Sequence, residues 1–554
     1  MIVELCFGNG KPYQKTEICK GITAEELYMK YKKNIEFPCY AIKIDNLVSP
    51  LIEKINKPCK IQFLDIRDKL TNLAYQRSLI LLFLKAANDL LGKEVSFEVQ
   101  ASLNEGLFIQ TVNGDIDEDT IAKIYAQMKK IADNDITIEV KAFNRKEAQK
   151  ILNAEGKKEK ARILKGLAED KSVKIYSIGD YSDFFYNFLV PSTGYLIRFE
   201  LMKYRDGMLL RFPQPDNPND IPDFVDEYII YNALKEQMKW NNLMGVKYMA
   251  DLNEKISSNE CRNMILLSEA LHDKKIVEIA DEIVKKKKRI ILILGPSSSG
   301  KTTFAQRLKI QLMVNGLKPL YIGTDDYFLE REEAEKDENG EYKFEEVEAI
   351  DLPLFNRQIN SLLNGEKVDM PVFNFLTGHK MYGQKITKLE KNQPIIIEGI
   401  HAFNPKLTGE INNEEKFKIY ISPLTQINLD AHNRVPTTDI RIIRRMIRDY
   451  RSRGYSASAT LKMWKKVHEA ESRNIFPYSG EADVYFNTVH VYELAVLKKY
   501  AEPLLEAIDR EDSEYSESRR LLKLFSFIDD IKDEKIIAGD SIIREFIGGS
   551  LFSD

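Results

Sequence analysis

Hydrophobic positions along the chain fall into two regimes. Up to about residue 212, short alternating runs are interleaved with helical periods, whereas from Ile290 onward continuous β-branched runs alternate with longer helices. The first pattern predicts α+β modules with half-exposed sheets, the second a parallel sheet covered on both faces. Residues 2–7 read as a strand, Gly8-Asn9-Gly10 as a turn, and 23–31 as a helix opened by Thr23 with Glu26 three residues on. Residues 41–44 and 60–64 add strands. The run LILLFLKAANDLLG within 72–92 predicts an apolar helix closed by glycine. Strands follow at 95–99, 107–112 and 136–140, with helices at 118–132 and 146–168 and a hairpin of 195–201 with 208–212.

Pro213, Pro215, Pro218 and Pro222 then interrupt the pattern and mark a boundary. Helical material leads to the basic run Lys285 to Arg289, read as a solvated helix end rather than a nucleic-acid patch. The divisions expected are 1–62, 63–212, a helical connector at 213–284, a larger unit at 285–510, and an appendage at 511–554.

Composition refines this only at a few points. A chain of 554 residues is too long for one core. Its net charge of −4 gives no electrostatic reason to expect nucleic acid or membrane as main partner. The five cysteines lack C-x-x-C spacing, so neither a disulfide framework nor a zinc ribbon is expected. No basic-then-apolar leader opens the chain, and no apolar run approaches the ~20 residues that span a bilayer, so a cytoplasmic setting is expected. The first of six histidines is His272, so the N-terminal half is expected to do no histidine chemistry.

The chemistry concentrates after Ile290. The strand RIILIL runs into GPSSSGKT (Gly295, Pro296, Ser297, Ser298, Ser299, Gly300, Lys301, Thr302) and a helix follows, with Thr303 in its first turn. That strand–loop–helix context identifies a P-loop: backbone N–H groups and the helix N-terminus surround phosphates, Lys301 reaches them, and the Thr302 hydroxyl is placed for Mg²⁺. A second strand, III, ends in Glu398, expected to help hold Mg²⁺ at the carboxyl end of the sheet. A third runs into Thr324-Asp325-Asp326-Tyr327, and Asp325 is the expected base toward an acceptor hydroxyl. Finally Arg441, Arg444, Arg445, Arg448, Arg451 and Arg453 crowd one helix and its exit. Like charges on one face repel unless they share an anion, so a phosphate-clamping lid is expected, with an RNA-contacting or solvated face as the alternatives.

In order, GPSSSGKTT, TDDYF, FEEVEAIDLPLF, PVFNFLTGHK, IIIEGIHAF, the arginine helix and EADVYFN resemble the uridine kinase and phosphoribulokinase family of P-loop kinases over residues 290–505. The resemblance implies ATP (or GTP) as donor, Mg²⁺, and transfer to the 5′-hydroxyl of a pyrimidine nucleoside. It assigns Asp325 as base; beside it Lys301, Arg444, Arg445 and Arg448 are expected at the transferred phosphoryl group, and Arg441 and Arg453 at the nucleotide. Glu345 falls where the family holds ribose hydroxyls and Phe373 where it carries a base-side tyrosine, with Tyr327 and His379 on the acceptor side. Two departures stand out: Gly378 occupies the family's histidine position with His379 one residue later, and SPLTQINLDAHNRVPTTD does not align.

The N-terminal half resembles threonyl-tRNA synthetase, with a TGS (β-grasp-like) domain at 1–62 and an editing-like α+β domain at 63–212. YSDFFYNFLVP aligns with YADLCRGPHVP, so Phe185 and Leu189 replace the family's cysteine and histidine, and Arg77 to Leu81 replaces H-S-x-x-H. The resemblance therefore implies a catalytically empty editing fold, one that senses a small ligand, binds RNA or joins subunits in a homo-oligomer. A nucleoside kinase with a regulatory N-terminal half is expected. The alternatives are an NTP-dependent RNA- or ribosome-associated regulator and a kinase for another small hydroxyl substrate.

Overall fold

The computed structural model describes residues 1–8, 10–336, 342–343, 345–374, 377–424 and 427–552. Asn9 of the expected turn, together with Phe344, Phe375, Leu376, Thr425 and Gln426 of the quoted motifs, lies outside them.

The first sheet contains β1 (Ile2–Cys6), β2 (Gln14–Glu17), β3 (Ala41–Ile44), β4 (Leu47–Pro50) and β5 (Lys60–Leu64) in the order β2-β1-β5-β3-β4. Its central pair β1 and β5 is parallel, and the helix Ala24–Tyr31 packs Leu27 and Tyr28 into the same core as Leu5 and Phe63. Thr23 and Glu26 form the anticipated reciprocal cap.

Next, β6 (Phe97–Leu103), β7 (Gly106–Thr111), β8 (Glu139–Phe143), β9 (Val173–Ile178), β10 (Tyr181–Phe184), β11 (Glu200–Tyr204) and β12 (Gly207–Arg211) make two antiparallel sheets, β11-β12-β7-β6 and β10-β9-β8. The helix Lys69–Leu91 is buried along most of its length, which explains why it is apolar on every side. The single helix expected at 146–168 is two, Arg145–Ala154 and Lys158–Ile163, because Gly156 turns the chain between them at φ 79°. The hairpin expected from Tyr195 begins later, at Glu200, since Thr193–Tyr195 forms a 3₁₀ turn.

The C-terminal sheet joins β13 (Ile290–Leu294), β14 (Leu320–Gly323), β17 (Ile395–Glu398), β18 (Lys416–Ser422) and β19 (Val484–Asn487), all parallel, in the order β14-β17-β13-β18-β19. Between β14 and β17 the chain forms a ribbon of β15 (Lys367–Asn374) and β16 (His379–Lys388). Every residue of β13 and β17 is buried, as a sheet covered on both faces requires. The order reverses direction around β13, which places a crevice at the carboxyl ends of β13 and β17. Among the described residues no helix is long and apolar enough to cross a membrane.

Two segments tie these units together. Asn428 donates to the carbonyls of Val99 and Gln100 at 2.9 and 3.0 Å, and Val99 N–H donates to Ala431, so the unalignable stretch after β18 docks on β6. Residues 511–552 are not an appendage. The helix Tyr515–Phe525 packs on β4, while Ile542 and Phe546 are wholly buried with Phe304 and Ile291 beneath the parallel sheet. Their apolar side chains complete a core that the sheet and its helices leave open.

His272 and His490 stack with ring centroids 3.9 Å apart inside this core. Burial holds both well below the ordinary histidine value, so they are neutral when folded. The unfolded chain binds protons that the folded one refuses, so stability is present above the ordinary histidine range and is lost as pH falls through it. His272 ring nitrogens find no hydrogen-bond partner of good geometry. His272→Leu is therefore expected to hold or raise stability at pH 7.5 and to flatten its fall between pH 6.5 and 5. Denaturant melts across that range check this, and an unchanged pH slope would contradict it.

Candidate active site

β13 ends in Gly295, where a Cβ would lie 2.2 Å from the Ile421 carbonyl oxygen, so no side chain fits. Ser298 and Gly300 adopt positive φ of 60° and 83°, the second opening the helix Lys301–Val314. A loop so wound, with a helix N-terminus behind it, is the arrangement that cradles phosphate in its concavity; Ser297 N–H is here donated to Glu471 and Ser299 N–H to the Pro296 carbonyl. Lys301 makes a 3.3 Å contact to the Pro296 carbonyl and no ion pair among the described residues. Its ammonium nonetheless acts electrostatically on Asp325, Glu398 and Glu345, which places all four groups around one site.

Thr302 Oγ1 lies 3.4 Å from Glu398 Oε2, and Tyr321 OH donates to the same oxygen at 2.9 Å. Burial, with Asp325 and Glu545 nearby, pushes the Glu398 carboxyl up to about 7 against the pull of Lys301. An exposed hydroxyl, a carboxylate and a further acid in reach form an all-oxygen set suited to Mg²⁺. Thr303 differs from expectation: it is buried and its hydroxyl donates to Glu545 at 2.7 Å, away from the phosphate concavity.

Asp325 and Asp326 follow β14 in the 3₁₀ turn Thr324–Tyr327 and have divided tasks. Asp326 accepts from Phe373 N–H at 3.3 Å and from Lys385 Nζ at 2.7 Å. Asp325 makes no hydrogen bond or ion pair among the described residues and keeps an open surface. The surrounding protein raises its carboxyl, as does Asp326, while Lys301, Arg453 and Arg448 oppose the rise. Glu345 is half-buried; burial raises its carboxyl, and Arg445 and Lys301 pull it down.

The arginine helix, Thr437–Arg453, buries Ile440, Ile443, Met446 and Ile447 in the largest core, so it is an anchored element of the fold. The anions its arginines share come from the chain itself. Arg441 pairs with Glu471, whose other role is to accept from Ser297 N–H at 2.8 Å; despite burial, Arg441 holds that carboxyl at about 2. Arg444 is wholly buried and does not face the phosphate concavity. It donates Nη2 to Glu493 at 2.7 Å and to the Thr488 carbonyl at 2.9 Å, and Nη1 to the Ser298 carbonyl at 3.3 Å. The expected phosphate contact of Arg444 is thus replaced by support of the loop from behind. Asp449 gathers Arg445, Arg448 and Arg453 at 3.3, 2.8 and 3.6 Å, one carboxylate among three guanidiniums. A positive surplus remains, and Arg445 also donates to Ser297 Oγ at 2.8 Å.

On the acceptor side the expectations divide. Tyr327 is wholly buried with its hydroxyl on Gln358 at 2.8 Å, so it is a core residue and not a substrate contact. Phe373 is buried edge-on against Phe328. His379 is exposed on the ribbon, with Nδ1 2.6 Å from Glu330 and 4.0 Å from Glu332. In the N-terminal half, Phe185, Leu189 and Leu81 are buried core residues, and Arg77 is buried beside Phe188.

Tyr321, Asp449, Glu471, Glu493 and Glu545 were not anticipated. Only Asp449, four residues from both Arg445 and Arg453, carried a readable spacing signal.

Residues 290–495 match the model of the Phosphoribulokinase / Uridine kinase family. The chain is 28% identical to a uridine kinase of Halalkalibacterium halodurans over 32% of its own length and 75% of that protein. It is likewise 28% identical to one from Lactobacillus helveticus, over 35% of this chain and 89% of the other. A threonine–tRNA ligase of Clostridium kluyveri is 24% identical over 35% of this chain, which spans only 30% of that ligase. The P-loop, its parallel sheet and the matched segment coincide: residues 290–495 are a kinase domain of the Phosphoribulokinase / Uridine kinase family, joined to an N-terminal region similar to threonine–tRNA ligases.

Proposed function

We propose that this kinase domain transfers the γ-phosphoryl group of ATP to the 5′-hydroxyl of a pyrimidine nucleoside, uridine or cytidine. The observation that carries this reading is the contrast between the two adjacent aspartates. Asp326 is consumed by Phe373 and Lys385, whereas Asp325 keeps an uncommitted carboxylate beside Lys301, Arg448 and Arg453. A site that only bound and hydrolysed nucleotide as a switch has no need to hold such a carboxylate ready for an acceptor proton. Its raised proton affinity suits it to take that proton.

ATP with Mg²⁺ supplies the transferable group and neutralises part of its charge. The loop of Gly295 to Gly300 and Lys301 would hold the phosphates, and Thr302 with Glu398 the metal. Arg445, Arg448 and Arg453 offer positive charge on the side of Asp325 where charge develops. Glu345, which Arg445 and Asp325 both influence electrostatically, would orient acceptor hydroxyls.

The test is a panel of nucleosides, sugars and pentose phosphates offered with Mg²⁺ and ATP, read as ADP release and product mass. Uridine or cytidine is expected to give the highest kcat/KM. Turnover of a sugar phosphate and no nucleoside would overturn the substrate class but leave the kinase standing. Glu345→Gln is expected to raise the acceptor KM about tenfold, the scale of one charge-assisted hydrogen bond, and to leave the KM for ATP unchanged.

A further inference from the structure

A narrow, partly open cleft lies where the editing-like module meets the segment leading into the arginine helix. Leu73, Gln76, Arg77 and Tyr186 line one side, and His432, Asn433, Arg434 and Pro436 the other. Two of these groups are cations with no ion pair among the described residues, although Asp439 acts on both from a distance. Arg77 is 7% exposed, and its single hydrogen bond among the described residues runs from Nε to the Phe188 carbonyl at 3.3 Å. Its guanidinium otherwise faces the Tyr186 ring, 5.7 Å away. Arg434 makes no hydrogen bond and no ion pair among the described residues.

The nearby carboxylates are already taken. Asp439 receives both Arg520 nitrogens at 2.6 Å and Lys69 at 3.1 Å, and Glu517 receives Arg520 at 2.8 Å and Lys69 at 2.7 Å. Two acids are thus balanced by two cations, leaving Arg77 and Arg434 in excess. Beyond them Lys523 is pulled down to about 8 by burial, Lys174 and Arg77. The other polar side chains of the cleft wall are committed as well. His432 Nδ1 lies within hydrogen-bond distance of both Asp183 and Lys160 and serves one of them, and its Nε2 lies 3.2 Å from the Phe97 carbonyl. Asn433 accepts from Tyr186 N–H and donates to the Phe184 carbonyl. Burying the Arg77 guanidinium without a paired anion is costly, while Arg434 stays partly exposed at the mouth of the cleft.

From this arrangement we infer that the cleft is a binding site for a small oxyanion, a carboxylate or a phosphate, gripped between Arg77 of the N-terminal region and Arg434 of the kinase domain. Guanidinium groups carry the planar fork of donors that matches such oxyanions. The bound anion joins the two parts of the chain, and two residues beyond Arg434 it reaches Pro436, the cap of the helix that carries Arg445, Arg448 and Arg453. It therefore bears on the kinase site from a distance, independently of which acceptor that site takes.

The test uses the full chain with Lys301→Ala, which removes the main phosphate contact at the P-loop. Thermal melting is followed against inorganic phosphate and, separately, acetate, with sodium chloride holding ionic strength constant. A saturable rise in melting temperature is expected with at least one of them; phosphate alone identifies a tetrahedral ligand, and acetate as well identifies a carboxylate. Adding Arg434→Gln is expected to weaken the response about tenfold or more. Gln76→Glu places a carboxylate in the cleft itself, so that variant is expected to melt higher without added anion and to lose the response. No saturable response to either anion, or an unchanged response in both Arg434→Gln and Gln76→Glu, would overturn the inference.

Discussion

Asp325→Asn is expected to lower turnover by about 10²–10⁴-fold while nucleotide affinity is retained, the range over which a positioned general base acts. The substitution keeps the size of the side chain, while it removes the negative charge and the ability to take a proton. Because Asp325 makes no hydrogen bond or ion pair among the described residues, the change strands none of these as a partner, and the melting temperature is expected to hold. Asp326→Asn provides the contrast. Its carboxylate anchors Phe373 and Lys385, so stability and the ribbon should suffer before the chemistry does. Single-turnover assays beside nucleotide-binding titrations separate the two; a full-rate Asp325→Asn enzyme would remove the base assignment.

The largest expected loss of stability lies behind the P-loop. Arg444 and Glu493 are both wholly buried, and each completes the other's charge. Glu493→Gln is expected to cost about 3–5 kcal/mol, because it leaves a buried guanidinium with only neutral acceptors. Against a total stability of about 5–15 kcal/mol this is a large fraction. Since Arg444 also supports the Ser298 carbonyl, nucleotide affinity should fall with it. Chemical denaturation and nucleotide titration together check this. A loss of nucleotide binding at unchanged stability would instead make Arg444 a direct phosphate contact.

Much of the donor half was legible because its chemistry is local. Eight consecutive residues between a strand and a helix specify the P-loop, and Asp325 and Glu398 each follow an apolar run that identifies its strand. What escaped depends on distance along the chain. Glu471 is 30 residues from Arg441 and Glu493 is 49 from Arg444, so no spacing rule links them. The charges of the arginine helix alone suggest a phosphate-clamping lid, yet Ile440, Ile443, Met446 and Ile447 recur at helical spacing and anchor it in the core. Tyr327 was misplaced because the 3₁₀ turn swings it into the core two residues past the exposed Asp325. The surplus charge of Arg77 and Arg434 was invisible, since the two lie in regions that only the fold brings together.

The segment around Ile542 to Gly549 has a consequence for how the protein is made. Gly300 of the P-loop rests against Ile542, Thr303 is held by Glu545, and Phe546 lies 4.8 Å beneath the Arg444 guanidinium. Roughly 240 residues separate the loop from this support. During synthesis at about 5–20 residues per second, the nucleotide loop therefore leaves the ribosome some tens of seconds at most before its own floor exists. A nascent chain stalled within that interval displays a P-loop sequence without the packing that shapes it. Premature stop codons that spare every phosphate-binding residue are thus expected to yield a chain with an uncovered apolar core, prone to degradation and unable to hold nucleotide.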